Sequence, residues 1–264
     1  MADGYRYIAR CSYGNDSIAM LQLMREHGLR DVAVVYSDTG WSTPEWVERV
    51  ERGTEWVRSL GWEPVTLSSR GFEASVTGHT EAGMFPTRLV KFCTQELKIR
   101  PFLKWVASAD PDRRAIVCVG VRRAESIGRR KAPAFMPEHD NGRHVWHPLV
   151  EFSETDRDGM ILKTPFEVLP HRSDECGICI NGNRADLRRA PEDHILRVEA
   201  LEAAIGRPMF KPENYMGATG IREVVRWAQS ERGRYRASGE QVPDLLSGLA
   251  DAESSTCEDN WCGL

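Results

Sequence analysis

No apolar run in this sequence approaches the roughly 18 residues of a membrane-spanning helix, so no helical span is expected. Basic charge is not in surplus either. The formal net charge is −4, which argues against a general nucleic-acid coat protein and leaves only local basic patches open. The opening Met1-Ala2-Asp3-Gly4 does not read as a signal peptide. The seven cysteines are odd in number and scattered, without the look of a secreted disulfide framework. A reducing, cytoplasmic setting is therefore expected, where clustered cysteines more often bind metal or do redox chemistry. No internal repeat or low-complexity segment stands out. Two common phosphate-binding signatures are also missing: there is no glycine-rich loop closing on Lys-Ser/Thr, and no Gly-x-Gly-x-x-Gly.

What is present begins with Arg10-Cys11-Ser12-Tyr13-Gly14-Asn15-Asp16-Ser17. Residues 5–10 read as a strand. Beyond the loop, Ile18, Ala19, Met20, Leu21, Leu23 and Met24 have the spacing of a buried helix. A small-residue loop from strand to helix aims backbone N–H groups and the positive end of a helix dipole at its occupant. Ser12, Gly14 and Ser17 permit close approach and add hydroxyl donors, and Gly14 can take a positive φ that other residues resist. The expected occupant is a phosphate group.

Residues 31–37 form a continuous apolar run suited to a parallel strand covered on both faces, ending in Asp38-Thr39-Gly40. Ser42 or Thr43 then caps a helix with Pro44 in its first turn and Trp46, Val50 and Val57 as a buried stripe; Gly61 ends it. Residues 63–67 give a third strand. The β-α-β-α-β order predicts an α/β fold, a doubly wound, mostly parallel Rossmann-like sheet. Residues 68–92, punctuated by Gly71, Gly78, Gly83 and Pro86, read as a long irregular loop, and loops of that length are often functional. A helix over 102–107, a buried strand over 115–121 and a last, alternating strand over 144–149 follow. Helices are expected over 191–205, ended by Gly206, and over 219–230. The expected organisation is a nucleotide-binding domain over 1–165, a cysteine-bearing helical extension over 166–240 and a flexible tail over 241–264.

Four segments occur in order: Ser12-x-Gly14-x-Asp16-Ser17, Asp38-Thr39-Gly40, Cys93-Thr94-x-x-Leu97-Lys98-Ile99-x-Pro101 and Gly120-Val121-Arg122-x-x-Glu125-Ser126-x-x-Arg129. Over residues 5–150 the series resembles the phosphoadenosine-phosphosulfate (PAPS) reductase family, within the adenine-nucleotide α-hydrolase superfamily of pyrophosphate-loop enzymes. The resemblance implies that Ser12, Gly14, Asn15, Asp16 and Ser17 hold nucleotide phosphates. It puts Asp38, Thr39 and Gly40 beside the nucleotide, with Gly120, Arg122 and Arg123 completing the site. Arg122 and Arg129 would face the phosphates or a sulfur-bearing anion, with Asp16 among the catalytic groups. The chemistry agrees, because each segment follows a strand's C-terminal end and Arg donates paired hydrogen bonds to phosphate. Lys98 admits two readings, a phosphate ligand or a surface lysine.

Cys176-Gly177-Ile178-Cys179 fits zinc, an iron–sulfur cluster or a redox pair. Relatives that carry a cluster draw cysteines from this two-part arrangement, so the resemblance implies Cys93, Cys176 and Cys179 as metal ligands. Phe92 stands where a Cys-Cys pair would mark the sulfate-reducing type. In reductases of the family a C-terminal cysteine in Glu-Cys-Gly is the nucleophile. Trp261-Cys262-Gly263-Leu264 resembles that sequence without its acidic residue, and Cys257 and Cys262 could form a disulfide. Cys11 and Cys118 read as packing residues. His139, His144, His147 and His171 have no metal spacing. Arg184, Arg188 and Arg189 fit either a nucleic-acid contact or an exposed helix face.

The resemblance implies an enzyme that binds ATP with Mg²⁺, adenylates an acceptor and transfers sulfur, with an iron–sulfur cluster. Its partners would be a sulfur donor or a cysteine desulfurase or thioredoxin-like protein, and possibly a nucleic-acid substrate, with no membrane. The Asp16-Ser17 pair favours this over sulfate reduction. The alternatives are a PAPS or adenylyl-sulfate reductase using Cys262, and a zinc-stabilised binding module without catalysis.

Overall fold

The computed structural model describes residues 4–139, 142–232 and 234–236. The first half alternates strand and helix: β1 (Tyr7–Arg10), α1 (Asn15–Glu26), β2 (Val32–Asp38), α2 (Pro44–Ser59), β3 (Glu63–Ser68) and α3 (Phe72–Gly78). A short α4 (Phe92–Thr94) runs through a π-helical turn over Gln95–Ile99 into α5 (Arg100–Ala109). Then come β4 (Ile116–Val119), β5 (Phe135–His139), β6 (Arg143–Trp146) and α6 (Glu154–Ile161). The described chain closes with α7 (Arg184–Arg188), α8 (Glu192–Ile205) and α9 (Ile221–Gln229). No helix among the described residues is long and apolar enough to cross a membrane.

The strands form one sheet in the order β3-β2-β1-β4-β6-β5. Every pairing is parallel except β5 with β6. Alternation along the strands builds two cores. Ala9, Val32, Val34, Tyr36 and Cys118 face α1, the Trp56-Val57 end of α2 and Ile161 of α6. Their neighbours Ile8, Ala33, Val35, Val117 and Val119 turn to the other side, against Phe102 and Val106 of α5. Both faces are therefore covered, as a parallel sheet requires. The chain winds outward from β1 in one direction to β2 and β3 and returns to place β4 on the other side of β1. The C-terminal ends of β1 and β4 consequently flank a topological switch point, where open α/β sheets bind ligands.

The chain divides into two compact units that are discontinuous in sequence. Among the described residues one unit comprises 4–71 and 94–175, and the other 72–93 and 176–236. In the second unit, α8 packs against α3 and α9, and α7 against α9. Arg184 donates to the carbonyls of Trp227 and Ser230 and stacks on the Trp227 ring, while Arg188 donates to Ala228 O. These two arginines, considered for nucleic-acid contact, tie α7 to the end of α9, and Arg189 pairs with Asp186.

Glu202 of α8 accepts the amides of Met209 (2.8 Å) and Ile221 (3.0 Å), so it caps α9, whose N-cap Gly220 has no side chain. Burial raises its carboxyl above the usual carboxylate range, against the lowering effect of those amides. A raised pKa in the folded state means that this group's contribution to stability is fullest below its unfolded value. It declines as pH rises through the folded value. Glu202→Gln is expected to flatten that part of the pH profile, read as the difference in urea midpoint between variant and wild type from pH 4 to pH 7.

The irregular loop expected over 68–92 contains a helix, α3. Gly71 (φ +84°) and Gly83 (φ +71°) supply turns around it, and Phe72, Ser75 and Val76 bury one face at helical spacing. Strand β5 and helix α6 were not foreseen. β5 is an exposed edge strand containing Pro137, a residue tolerated there because an edge leaves donors unpaired. α6 carries Gly159 and a run of acidic residues. Its one legible signal is the capping box in which Ser153 and Asp156 cap each other's amides.

Candidate functional site

Between β1 and α1 the chain turns through Cys11–Gly14. The Ser12 amide donates to Ser17 Oγ (3.0 Å) and the two hydroxyls are 3.1 Å apart, so the bend closes on the first turn of its own helix. The Tyr13 amide donates to Cys11 Sγ (3.3 Å) and the Gly14 amide points at Ser12 Oγ (3.4 Å). Gly14 is the N-cap of α1 and supplies no side-chain cap. By contrast, Thr43, Ser153 and Asn183 each cap their helices with a side-chain oxygen. The start of α1 therefore keeps amide donors and a positive dipole end for an external anion.

The positive φ that glycine permits is not used at Gly14, which has φ −75°, an ordinary extended value; the left-handed residue is Tyr13, at φ +60°. Gly14 matters for space instead. A Cβ there would lie 3.3 Å from Ser173 Cβ and 3.5 Å from Ser12 Oγ. The larger residue tolerates the left-handed turn because its ring is wholly buried in a notch that Gly53 leaves in α2.

β4 ends beside this loop. A Cβ at Gly120 would meet Asp16 O at 3.1 Å, so the glycine lets the strand end approach the first turn of α1. From there Arg122, nearly buried, pairs through Nε with Asp16. Arg129 pairs with Glu125 one turn away, and Asp16, Arg122 and Arg172 all act electrostatically on Glu125. Burial raises the Glu125 carboxyl, opposed first by Arg129. Asp16, Arg122, Glu125 and Arg129 are thus one electrostatic cluster at the positive end of α1. Arg123, expected beside the nucleotide, pairs with Glu151 and donates to the carbonyl of Ala132 (2.9 Å).

Residues 169–175 lie across the same loop. Asn15 is clamped at both ends of its amide, Nδ2 donating to Leu169 O (2.9 Å) and Oδ1 accepting Leu169 N (3.0 Å). Its side chain therefore fastens the crossing segment to the start of α1. Thr39 Oγ1 donates to Glu175 O (2.9 Å), and the Thr43 amide to Asp174 O (3.2 Å). Lys98, carried by the π-helical turn, pairs with the Glu175 carboxylate. Asp38 accepts the Gly40 amide at 2.8 Å, and Gly40 (φ +64°) comes within 3.4 Å of Gly71 Cα at its Cβ position. Sequence reasoning missed Arg172, Glu175 and the π-helical turn. π-Turns inside helices often mark functional sites, but their hydrogen bonding leaves no sequence trace.

The thiols divide. Burial pushes Cys11 and Cys118 up to about 12, so both are protonated at neutral pH and pack as apolar groups. Cys93, Cys176 and Cys179 are half-buried, and Cys179 Sγ accepts the Asn181 amide (3.5 Å). Among the described residues, no group of three or more His, Cys, Asp or Glu side chains is placed to hold a metal ion. The expected Cys93–Cys176–Cys179 ligand set is therefore not assembled there. The Cys176 turn instead closes against a buried histidine, with a Cβ at Gly177 falling 2.6 Å from His194 Nε2. Of the other histidines, His147 is buried with Nδ1 on Pro133 O (2.6 Å), and His171 pairs with Asp174. Cys257 and Cys262 lie outside the described residues.

A doubly wound, mostly parallel sheet with an uncapped helix start and Arg122 beside its switch point is an α/β fold of the nucleotide-binding kind. Within that class, the family model described as the phosphoadenosine phosphosulfate reductase domain matches residues 6–171, and the chain belongs to this family. No curated protein matches the sequence. Among solved structures, the chain is similar to a PAPS reductase from Candida auris in a phosphate complex, 14% identical over 60% of this chain and 72% of that one, TM-score 0.43. It is also similar to an NH3-dependent NAD synthetase from Campylobacter jejuni, 15% identical over 61% and 65% of the two chains, TM-score 0.42. An NMN synthetase from Francisella tularensis is 15% identical over 91% and 90%, TM-score 0.45.

Proposed function

We propose that the protein binds ATP at the Ser12–Ser17 loop, splits it between the α and β phosphates, and uses the adenylate to activate an acceptor for sulfur transfer. The observation that carries this reading is the start of α1. It is an anion-binding helix terminus without a side-chain cap, at the switch point, with Arg122 and Ser17 converging on it. In the reaction an acceptor oxygen attacks the α-phosphorus, the bond to the bridging oxygen breaks, and pyrophosphate leaves. A sulfur nucleophile then displaces AMP from the acceptor. Loop amides and Arg122 stabilise the charge that grows on the departing pyrophosphate. Asp16 holds Arg122 in place until the phosphate oxygens, which offer the same acceptor chemistry with more charge, compete for it. Arg129, held by Glu125, adds charge behind it.

Magnesium would neutralise part of the triphosphate charge. Because no three-ligand carboxylate group is built among the described residues, the metal would arrive with the nucleotide and be held chiefly by phosphate oxygens and water. No step is routed through an iron–sulfur cluster. Cytoplasmic location, a nucleic-acid acceptor and a desulfurase or thioredoxin-like partner belong to this proposal too; the acidic net charge confines any nucleic-acid contact to local patches.

The test is product analysis with ATP labelled at the α-phosphate. AMP with one equivalent of pyrophosphate supports the reading, and ADP with phosphate contradicts it. Release of sulfite from PAPS, lost in Cys262→Ser, with no pyrophosphate from ATP, would make the protein a reductase.

A further inference from the structure

A peptide bond presents its C=O and N–H on opposite sides. Whatever fixes the Tyr13 carbonyl therefore also fixes the direction of the Gly14 amide. Arg49, on α2, supplies that anchor, its Nε donating to Tyr13 O at 2.8 Å. Arg49 is 4% exposed, unusual for an arginine, and it is held on every side. Nη1 meets Glu167 Oε1 at 2.6 Å, and the guanidinium lies over the rings of Phe166 (5.1 Å) and Trp46 (5.7 Å). The same helix provides the Gly53 notch for the Tyr13 ring and Thr54 Oγ1 at 3.5 Å from its hydroxyl. The left-handed turn at Tyr13 would otherwise be costly for a residue with a large side chain.

We propose that Arg49 is a positioning residue for the phosphate-binding loop: by holding the Tyr13 carbonyl against α2 it fixes the Gly14 amide on the side of the bend that carries the Ser12 hydroxyl, its partner at 3.4 Å until an anion takes that place. The cost of burying the guanidinium is offset by the Glu167 carboxylate, the Glu167 carbonyl and the two rings, which leave Nε aimed at the Tyr13 carbonyl alone. A donor held this way fixes the peptide in one orientation before a ligand arrives. Glu167 and the rings keep the guanidinium rigid, and the fork geometry cannot be matched by lysine. The part played by the anion rests on the phosphate reading of the loop; the anchoring of the peptide does not.

The test uses the full-length protein with Arg49→Met, Arg49→Lys and Glu167→Gln, and two readouts. Amide hydrogen exchange over residues 11–17, without ligand, reports the loop itself. Titration calorimetry with ATP reports binding. Arg49→Met is expected to speed exchange in this segment by about tenfold or more, leave the middle of α2 unchanged, and weaken ATP binding by about tenfold, the worth of one hydrogen bond from a charged donor. Arg49→Lys restores neither, whereas Glu167→Gln, which leaves the Nε–carbonyl bond in place, keeps both near wild type. Should Arg49→Met lose its fold, Arg49→Lys carries the same reading with charge and stem retained. Unchanged loop exchange in the Arg49 variants, or an equal loss in Glu167→Gln, overturns the proposal. If the wild-type protein binds no ATP while the exchange pattern holds, the phosphate reading falls and the anchoring role of Arg49 stands.

Discussion

Arg122→Met is expected to weaken ATP binding by about a hundredfold and to abolish pyrophosphate release. Two effects add. A guanidinium that would donate to phosphate is removed, worth about 1.5–3 kcal/mol for a hydrogen bond with a charged partner. In addition, Asp16, now without its cation, presents a bare carboxylate beside the incoming phosphates. The second effect can be separated. In Asp16→Asn combined with Arg122→Met, the repulsion disappears and part of the affinity returns, so the double-mutant cycle should show strong coupling. Titration calorimetry on the four proteins measures it. Strictly additive losses would mean that the pair does not act on the ligand as a unit.

Gly53→Ala is expected to destabilise the fold by about 1–3 kcal/mol, the usual cost of overpacking a tight core. In an exposed helix this exchange normally stabilises by about 0.5–1 kcal/mol, so the sign is the informative quantity. The reversal follows from the ring of Tyr13, whose Cδ1 and Cε1 atoms would lie 2.3 and 2.4 Å from the new methyl group. That ring cannot step aside: it is buried, its backbone is left-handed and its carbonyl is held by Arg49. Gly159 in α6, where a Cβ would meet nothing within 4 Å, is the control, and Gly159→Ala should stabilise. Urea unfolding of both variants checks the pair of signs. Because the displaced element is the loop proposed to bind phosphate, Gly53→Ala should lose ATP affinity as well.

The doubly wound sheet was legible because β2 and β4 are buried on both faces and read as continuous apolar runs, and because Thr43, Gly61 and Gly206 mark helix ends by chemistry that needs no partner. The bend from β1 into α1 was legible for a similar reason: serines and a glycine between a strand and an apolar helix are local information. The elements missed depend on distant residues. β5 is a strand only because β6 pairs with it, despite Pro137. Propensity made Gly14 the residue of this loop most able to take a positive φ, whereas Tyr13 takes it, since α2 offers a notch for the ring and a donor for the carbonyl. Asn15 shows the same limit. Its place in the motif suggested a ligand contact, and only the fold brings Leu169 to its amide. For the cysteines, spacing indicated a possible ligand set, but spacing carries no distances, and the three thiols do not form a metal-binding group among the described residues.

The most direct measurement is a crystal structure of the protein with an ATP analogue whose α–β bridging oxygen is replaced by carbon, so that it cannot be cleaved there. The account predicts phosphate oxygens within hydrogen-bonding distance of the amides at the start of α1, with Ser17 Oγ and Arg122 among their partners. A nucleotide bound away from residues 12–17, with Arg122 still paired to Asp16, would contradict it.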